Sequence, residues 1–143
     1  MNPLEVFQSL IGKEFSNSPS PFMRWLKPVV VSAEVGHLEF KYVVRQEWLN
    51  PMAILHGGIT AGIIDDIIGA TLISFNEINY YTTINNTIDY FSIAREGDII
   101  IAETAIVKKG NQIVNVECIV WNEDKSRMIA KGQSNLMKIH PKK

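Results

Sequence analysis

The stretch HGGITAGIIDDIIGA, residues 56–70, constrains the fold more than any other part of this chain. From Gly58 to Phe75 apolar residues occur on nearly every side, so a helix over 58–75 has no face to offer to water and must be buried. Two details do not fit a plain core helix. Asp65 and Asp66 stand side by side between isoleucine pairs, although aspartate is almost never fully buried unless it is paired. His56-Gly57-Gly58 breaks the chain just before the helix begins.

The segments on either side read as strands. VVVSAEV and HLEFKYVV flank Gly36-His37 as a hairpin. After the helix come YTTINNTIDYFSI, DIIIAETAIVKK, QIVNVECIVWN and RMIAKGQSNLMKI, with turns at Gly110-Asn111 and at 123–126. In the third of these, Val114, Val116, Cys118 and Val120 alternate with Asn115 and Glu117, so one face is buried. In the last, Ala130, Gly132 and Ser134 make a face small enough for a helix to lie close against it. Residues 2–11 read as a short helix capped by Asn2, with Pro3 in its first turn. FSNSPSPFMRWLKP is too rich in proline and serine for a long element, yet Phe22, Met23, Trp25 and Leu26 must pack on the core or roof a pocket. The expected fold is α+β, a long central helix wrapped by a curved antiparallel sheet, in a single domain spanning 1–143.

Composition narrows the function. With 14 basic and 15 acidic residues the net charge is −1, which argues against a non-specific nucleic-acid binder. No apolar run reaches the ~18 residues of a membrane span, and the N-terminus shows no signal-peptide pattern. The single cysteine, Cys118, allows no internal disulfide and no cysteine-based metal site. No metal and no cofactor are expected, and the natural setting is the cytoplasm.

The chemistry-bearing residues gather around the helix. Its first N–H groups lack intrahelical partners and lie at the positive end of the dipole. Gly57 and Gly58 lack the Cβ that would hold a ligand off, so a carbonyl oxygen could dock at the Gly57 N–H. The plainer alternative is a tight turn into the helix. Gly58, Gly62, Asp65/Asp66 and Gly69 share one stripe; an acid there is a candidate base or nucleophile, with a pKa that burial would raise. Asp65 lies eight residues beyond Gly57, about 12 Å along the helix. If both serve one site, they come from two subunits meeting across a two-fold axis.

The order Asn50, five residues, His56-Gly57-Gly58, and an acid nine positions after the histidine resembles the hotdog-fold acyl-CoA thioesterases of the phenylacetate-degradation type (PaaI-like, Them2-like). The resemblance runs from about Leu4 to Ile139. It implies a hotdog fold and hydrolysis of acyl-CoA, aromatic or medium-chain, to free acid and coenzyme A. It implies that Gly57 N–H polarises the thioester carbonyl and that Asp65 of the other subunit acts as base or nucleophile. His56 then orients the site, Asn50 holds substrate or water, and Thr83, rather than Thr82, positions the water. Coenzyme A contacts are implied at Gly58, at Tyr90 beside the pantetheine arm, and at the KKGNQ turn, where Lys108, Lys109, Gly110 and Asn111 meet the nucleotide. A solvated hairpin is an equal account of the lysines. A homodimer with shared sites is implied, with a homotetramer as dimer of dimers a further arrangement. A hotdog hydratase or dehydratase and a non-catalytic acyl-CoA binding module are the competing functions. Asp66 is outside the family pattern and receives no role.

Overall fold

The computed structural model describes residues 1–140. Its elements run α1 (Pro3–Ser9), α2 (Pro21–Leu26), β1 (Val29–Glu34), β2 (His37–Val43), a 3₁₀ turn (Gln46–Trp48), α3 (Gly57–Ile73), β3 (Tyr80–Tyr90), β4 (Ile99–Lys109), β5 (Ile113–Asn122) and β6 (Met128–Ile139). The strands form one antiparallel sheet in the order β1-β2-β4-β5-β6-β3. The central helix wrapped by an antiparallel sheet, expected from the residue pattern and named a hotdog fold by the resemblance, is present. Among the described residues no helix is long and apolar enough to cross a membrane.

Local chemistry explains the boundaries. Asn2 accepts the Glu5 N–H (2.9 Å) and Pro3 opens α1, as the capping pattern predicts. The proline- and serine-rich segment does hold a short helix, α2, which was not expected. Ser20 caps it by accepting the Met23 N–H (3.2 Å), Pro21 occupies its first position, and Lys27 ends it in the left-handed region.

α3 spans Gly57–Ile73, starting one residue earlier and ending two earlier than its pattern suggests. Ile63, Ile64, Ile67 and Ile68 are fully buried against the concave face of the sheet. Close approach is possible because β6 presents Ala130, Gly132 and Ser134 to the helix, all buried. A Cβ on Gly132 would stand 3.0 Å from Ile64 Cγ2. The C-terminal end is pinned by hydroxyls rather than by an apolar stripe. Thr71 and Thr104 share a buried hydrogen bond (2.7 Å), and Ser74 Oγ accepts the Gly36 N–H (2.9 Å).

β3 lies at one edge of the sheet and is eleven residues long. It pairs with β6 through a bulge between Thr83 and Asn85, and most of its residues are exposed. A long edge strand carrying exposed Tyr80, Ile84 and Tyr90 is a ready template for another strand. Gly132→Val should destabilise the fold by ~1–3 kcal/mol through overpacking against Ile64. The measurement is a lower midpoint of urea denaturation at unchanged slope.

Candidate active site

The helix start is built by its own histidine. His56 is the N-cap, and its Nδ1 accepts the Gly58 N–H (2.8 Å). In the neutral ring the proton is therefore on Nε2. The Ile59 and Thr60 N–H groups both donate to the His56 carbonyl (3.0 and 3.2 Å). Of the first four helical amides, only that of Gly57 donates to no group among the described residues. The two glycines thus divide their work. Gly57 holds the open N–H; a Cβ at Gly58 would stand 3.0 Å from His56 Nδ1, so Gly58 makes room for the capping ring rather than for a ligand. Tyr90 lies beside this end and its hydroxyl donates to the Gly57 carbonyl (2.8 Å).

Asn50, expected to hold substrate or water, has its side-chain oxygen engaged within its own loop. Its side-chain oxygen accepts the Met52 N–H (2.8 Å) and, more weakly, the Ile54 N–H (3.4 Å). Its backbone also exchanges hydrogen bonds with Ala53 and Ile54. Asn50 therefore shapes the loop that delivers His56, and only its amide nitrogen is left for another group. The Arg45 guanidinium lies over both the Trp25 and Trp48 rings, 4.8 and 4.7 Å from their centroids, and the two rings are themselves 6.1 Å apart. Trp48 in turn accepts the His56 N–H on its carbonyl (2.8 Å). The clamp ties α2 to the segment that positions the helix start.

Asp65 lies mid-helix and is exposed, so the expected burial falls instead on its neighbour. Thr83 donates to Asp65 Oδ1 (3.4 Å), which brings together the two residues paired by the resemblance. Asn86, not anticipated from the sequence, donates to the same oxygen (3.2 Å) and accepts from Ser134 of β6. Residues three apart on a regular strand point to opposite faces. The bulge after Thr83 turns Asn86 back to the side of Asp65. A one-residue insertion of this kind leaves no mark in an alternation pattern.

Two clefts meet at Asp65. One, of about 500 Å³, runs beneath α1 and α2 and is walled by Phe7, Phe15, Met23 and Ile73, with Asp65 and Asp66 on its helix side. Of the roofing residues foreseen, Met23 lines this cleft, Leu26 enters the core, and Phe22 lies over Gly62, where a Cβ would meet its ring at 2.8 Å. The second cleft, of about 450 Å³, follows the start of β3 and includes Asp65, Thr83, Glu77 and Tyr81.

At the far end of the helix, Lys109 is held by Glu77 (2.6 Å) and lies over the Phe75 ring. The Lys109 hydrogen bond is the main cause of a lowered Glu77 pKa, and the same bond raises that of Lys109. Lys108 is exposed and makes no ion pair among the described residues, so the two lysines are not equivalent. Gly110 closes the turn, where a Cβ would meet the Ile113 carbonyl at 2.9 Å, and Asn111 is exposed. Among the described residues no group of three or more metal-ligating side chains is arranged to hold an ion.

The wrapped central helix with its capped, open-amide start defines a hotdog enzyme domain, and the comparisons give its family. The chain belongs to the thioesterase superfamily, whose family model matches residues 52–129. It is 27% identical over 107 residues to acyl-coenzyme A thioesterase 13 of Homo sapiens, covering 75% of this chain and 76% of that protein. The Streptococcus mutans protein smu.793, solved bound to acetyl CoA, has a TM-score of 0.75 at 26% identity, covering 82% of this chain and 92% of that one. Zebrafish thioesterase superfamily member 2 shares the fold at a TM-score of 0.78 and 21% identity, over 94% of each chain. The E. coli PaaI protein of the phenylacetic acid degradation operon shares it at 0.78 and 18%, over 85% of this chain and 86% of that one.

Asp66 is the strongly perturbed carboxyl of the site. Burial, and then the charge of Asp65, push its pKa from 3.8 to about 7. A raised carboxyl pKa favours the folded state below pH ~4 and withdraws that advantage as pH climbs through 7. Asp66→Asn should therefore stabilise the protein at pH 8 and much less at pH 5, by up to about 4 kcal/mol from a shift of ~3 units. Thermal melts of both proteins at the two pH values check the sign.

Proposed function

We propose that this chain is a single hotdog domain, residues 1–143, that hydrolyses acyl-CoA thioesters as a homodimer, each active site drawing on both subunits. One observation carries the reading: the open Gly57 amide and the Thr83–Asn86-held Asp65 lie on one rigid helix, about 12 Å apart. No single thioester carbonyl can touch both ends of that span. An antiparallel pairing of two β3 edges about a two-fold axis puts Tyr90 of one subunit near Tyr80 of the other. The Gly57 end of one helix then faces the second cleft of the neighbouring chain, where Asp65 stands. The long exposed β3 edge supports this pairing.

The chemistry follows from those positions. The thioester oxygen accepts the Gly57 N–H, which draws electrons from the acyl carbon as charge develops on the oxygen. Asp65 takes a proton from a water that Thr83 holds, and the hydroxide attacks the acyl carbon. The tetrahedral intermediate collapses with cleavage of the C–S bond. Asp65 returns its proton to the departing thiolate, and free acid and coenzyme A leave. His56 keeps the amide array in place, while Tyr90 braces the Gly57 carbonyl beside the pantetheine path. The acyl chain enters the apolar cleft beneath α1 and α2. The nucleotide extends towards the 108–111 turn, where Lys108, without an ion pair among the described residues, meets its phosphates. A cytoplasmic setting suits this reading, since Cys118 is a fully buried packing residue.

Asp65→Asn should lower kcat by at least ~10²-fold, the usual scale for a general base, in an assay of thiol release. Unchanged turnover would remove Asp65 from the mechanism. Gly57→Pro removes the open N–H at a helical position that tolerates proline, with the added Cβ in ordinary contact with Tyr90 at 3.4 Å. Each variant alone should be nearly inactive, and co-refolded mixtures should recover activity in the heterodimer; no recovery at any ratio would refute the shared site. Lys108→Ala should raise KM for acyl-CoA about 2- to 5-fold in low salt, with less effect from Lys109→Ala, whose charge is already engaged by Glu77.

A further inference from the structure

Asp66 is an acid of the apolar cleft that hydrolysis leaves unused. Its Oδ2 is buried and has no hydrogen-bond partner. The other polar side chains of the apolar cleft each take part in a hydrogen bond. Ser18 Oγ accepts the Ser20 N–H, Ser20 Oγ accepts the Met23 N–H, and Asp65 is held by Thr83 and Asn86. The cleft, about 500 Å³, is of the size that holds small molecules, where a few polar groups on apolar walls fix orientation. In this cleft Asp66 carries the one buried oxygen left without a partner among the described residues.

We propose that Asp66 is a specificity-determining residue, whose carboxyl hydrogen-bonds a hydroxyl or keto oxygen carried by the acyl chain a few carbons from the thioester. The inference rests on the thioesterase reading of the cleft as the acyl site. Asp66 follows Asp65 by one residue, a rise of ~1.5 Å and a turn of ~100°, and both line the same cleft. A chain whose carbonyl carbon meets Asp65 therefore passes Asp66 within its first few carbons. Oδ2 is already out of contact with water, and a plain alkyl chain would leave it with nothing to bond. A chain hydroxyl can donate to that oxygen or accept from the protonated carboxyl, and a keto oxygen can accept from it. A cationic chain fits less well, because it needs an ionised carboxylate on apolar walls, where burial favours the protonated form. Sites built to bond a substrate hydroxyl discriminate strongly against analogues that lack it.

The test compares kcat/KM for octanoyl-CoA with 3-hydroxy-, 5-hydroxy- and 3-oxo-octanoyl-CoA, using the full chain and thiol release. At least one oxygenated substrate should exceed octanoyl-CoA by ~10-fold or more. That ratio should fall to within about 2-fold of unity in both Asp66→Ala and Asp66→Leu, and persist in part in Asp66→Asn, which keeps hydrogen-bonding groups. No preference in the unmodified protein, a comparison that needs no variant to fold, would overturn the role of Asp66. So would a preference that survives Asp66→Ala. Failure to hydrolyse any thioester in the panel would instead overturn the thioesterase reading itself.

Discussion

The close seating of α3 on the concave sheet is the constraint on which the rest of the molecule depends. Four fully buried isoleucines make that contact, and it is possible because Gly132 leaves the space that Ile64 fills. Once the helix is held on five strands it cannot flex to bring its two ends together. The same contact that stabilises the core therefore separates the helix start from the mid-helix acid. Under the proposed mechanism, dimerisation is then a requirement of catalysis as well as a way of covering an edge strand.

The helix start illustrates how backbone groups are assigned by elimination. Every helix begins with four amides in search of acceptors. Here His56 satisfies three of them, one through its ring and two through its carbonyl, and the remaining one belongs to Gly57. A histidine next to a reaction centre invites a role as base, but this ring is spent on the cap through Nδ1. Asn50 is likewise spent mostly on its own loop. The residues around Gly57 are scaffold for a single N–H.

The adjacent carboxylates divide according to their surroundings. Asp65 faces solvent and the amide and hydroxyl of β3, which both donate to its Oδ1. Asp66, one step round the helix, faces apolar walls and is driven towards the protonated form. Under the proposed mechanism, two identical side chains thus present different chemistry, a proton acceptor at the mouth of the cleft and a hydrogen-bonding wall inside it.

The sequence by itself determined the fold class, the strands and the buried helix, while the pairing of Asp65 with Thr83 was implied by the family resemblance its motif carries. Those features rest on periodicity, turn residues and a spaced motif, which are local properties of the chain. Tertiary structure decided what depended on close contact. The bulge after Thr83 brought Asn86 to Asp65, because an extra residue re-aims a strand without altering its composition. Glu77 pairs with Lys109, while Lys108 has no ion pair among the described residues, a distinction between adjacent identical residues that only a partner distant in sequence can make. Burial likewise separated Asp66 from Asp65, since a carboxyl's preference for its proton is set by what surrounds it in space.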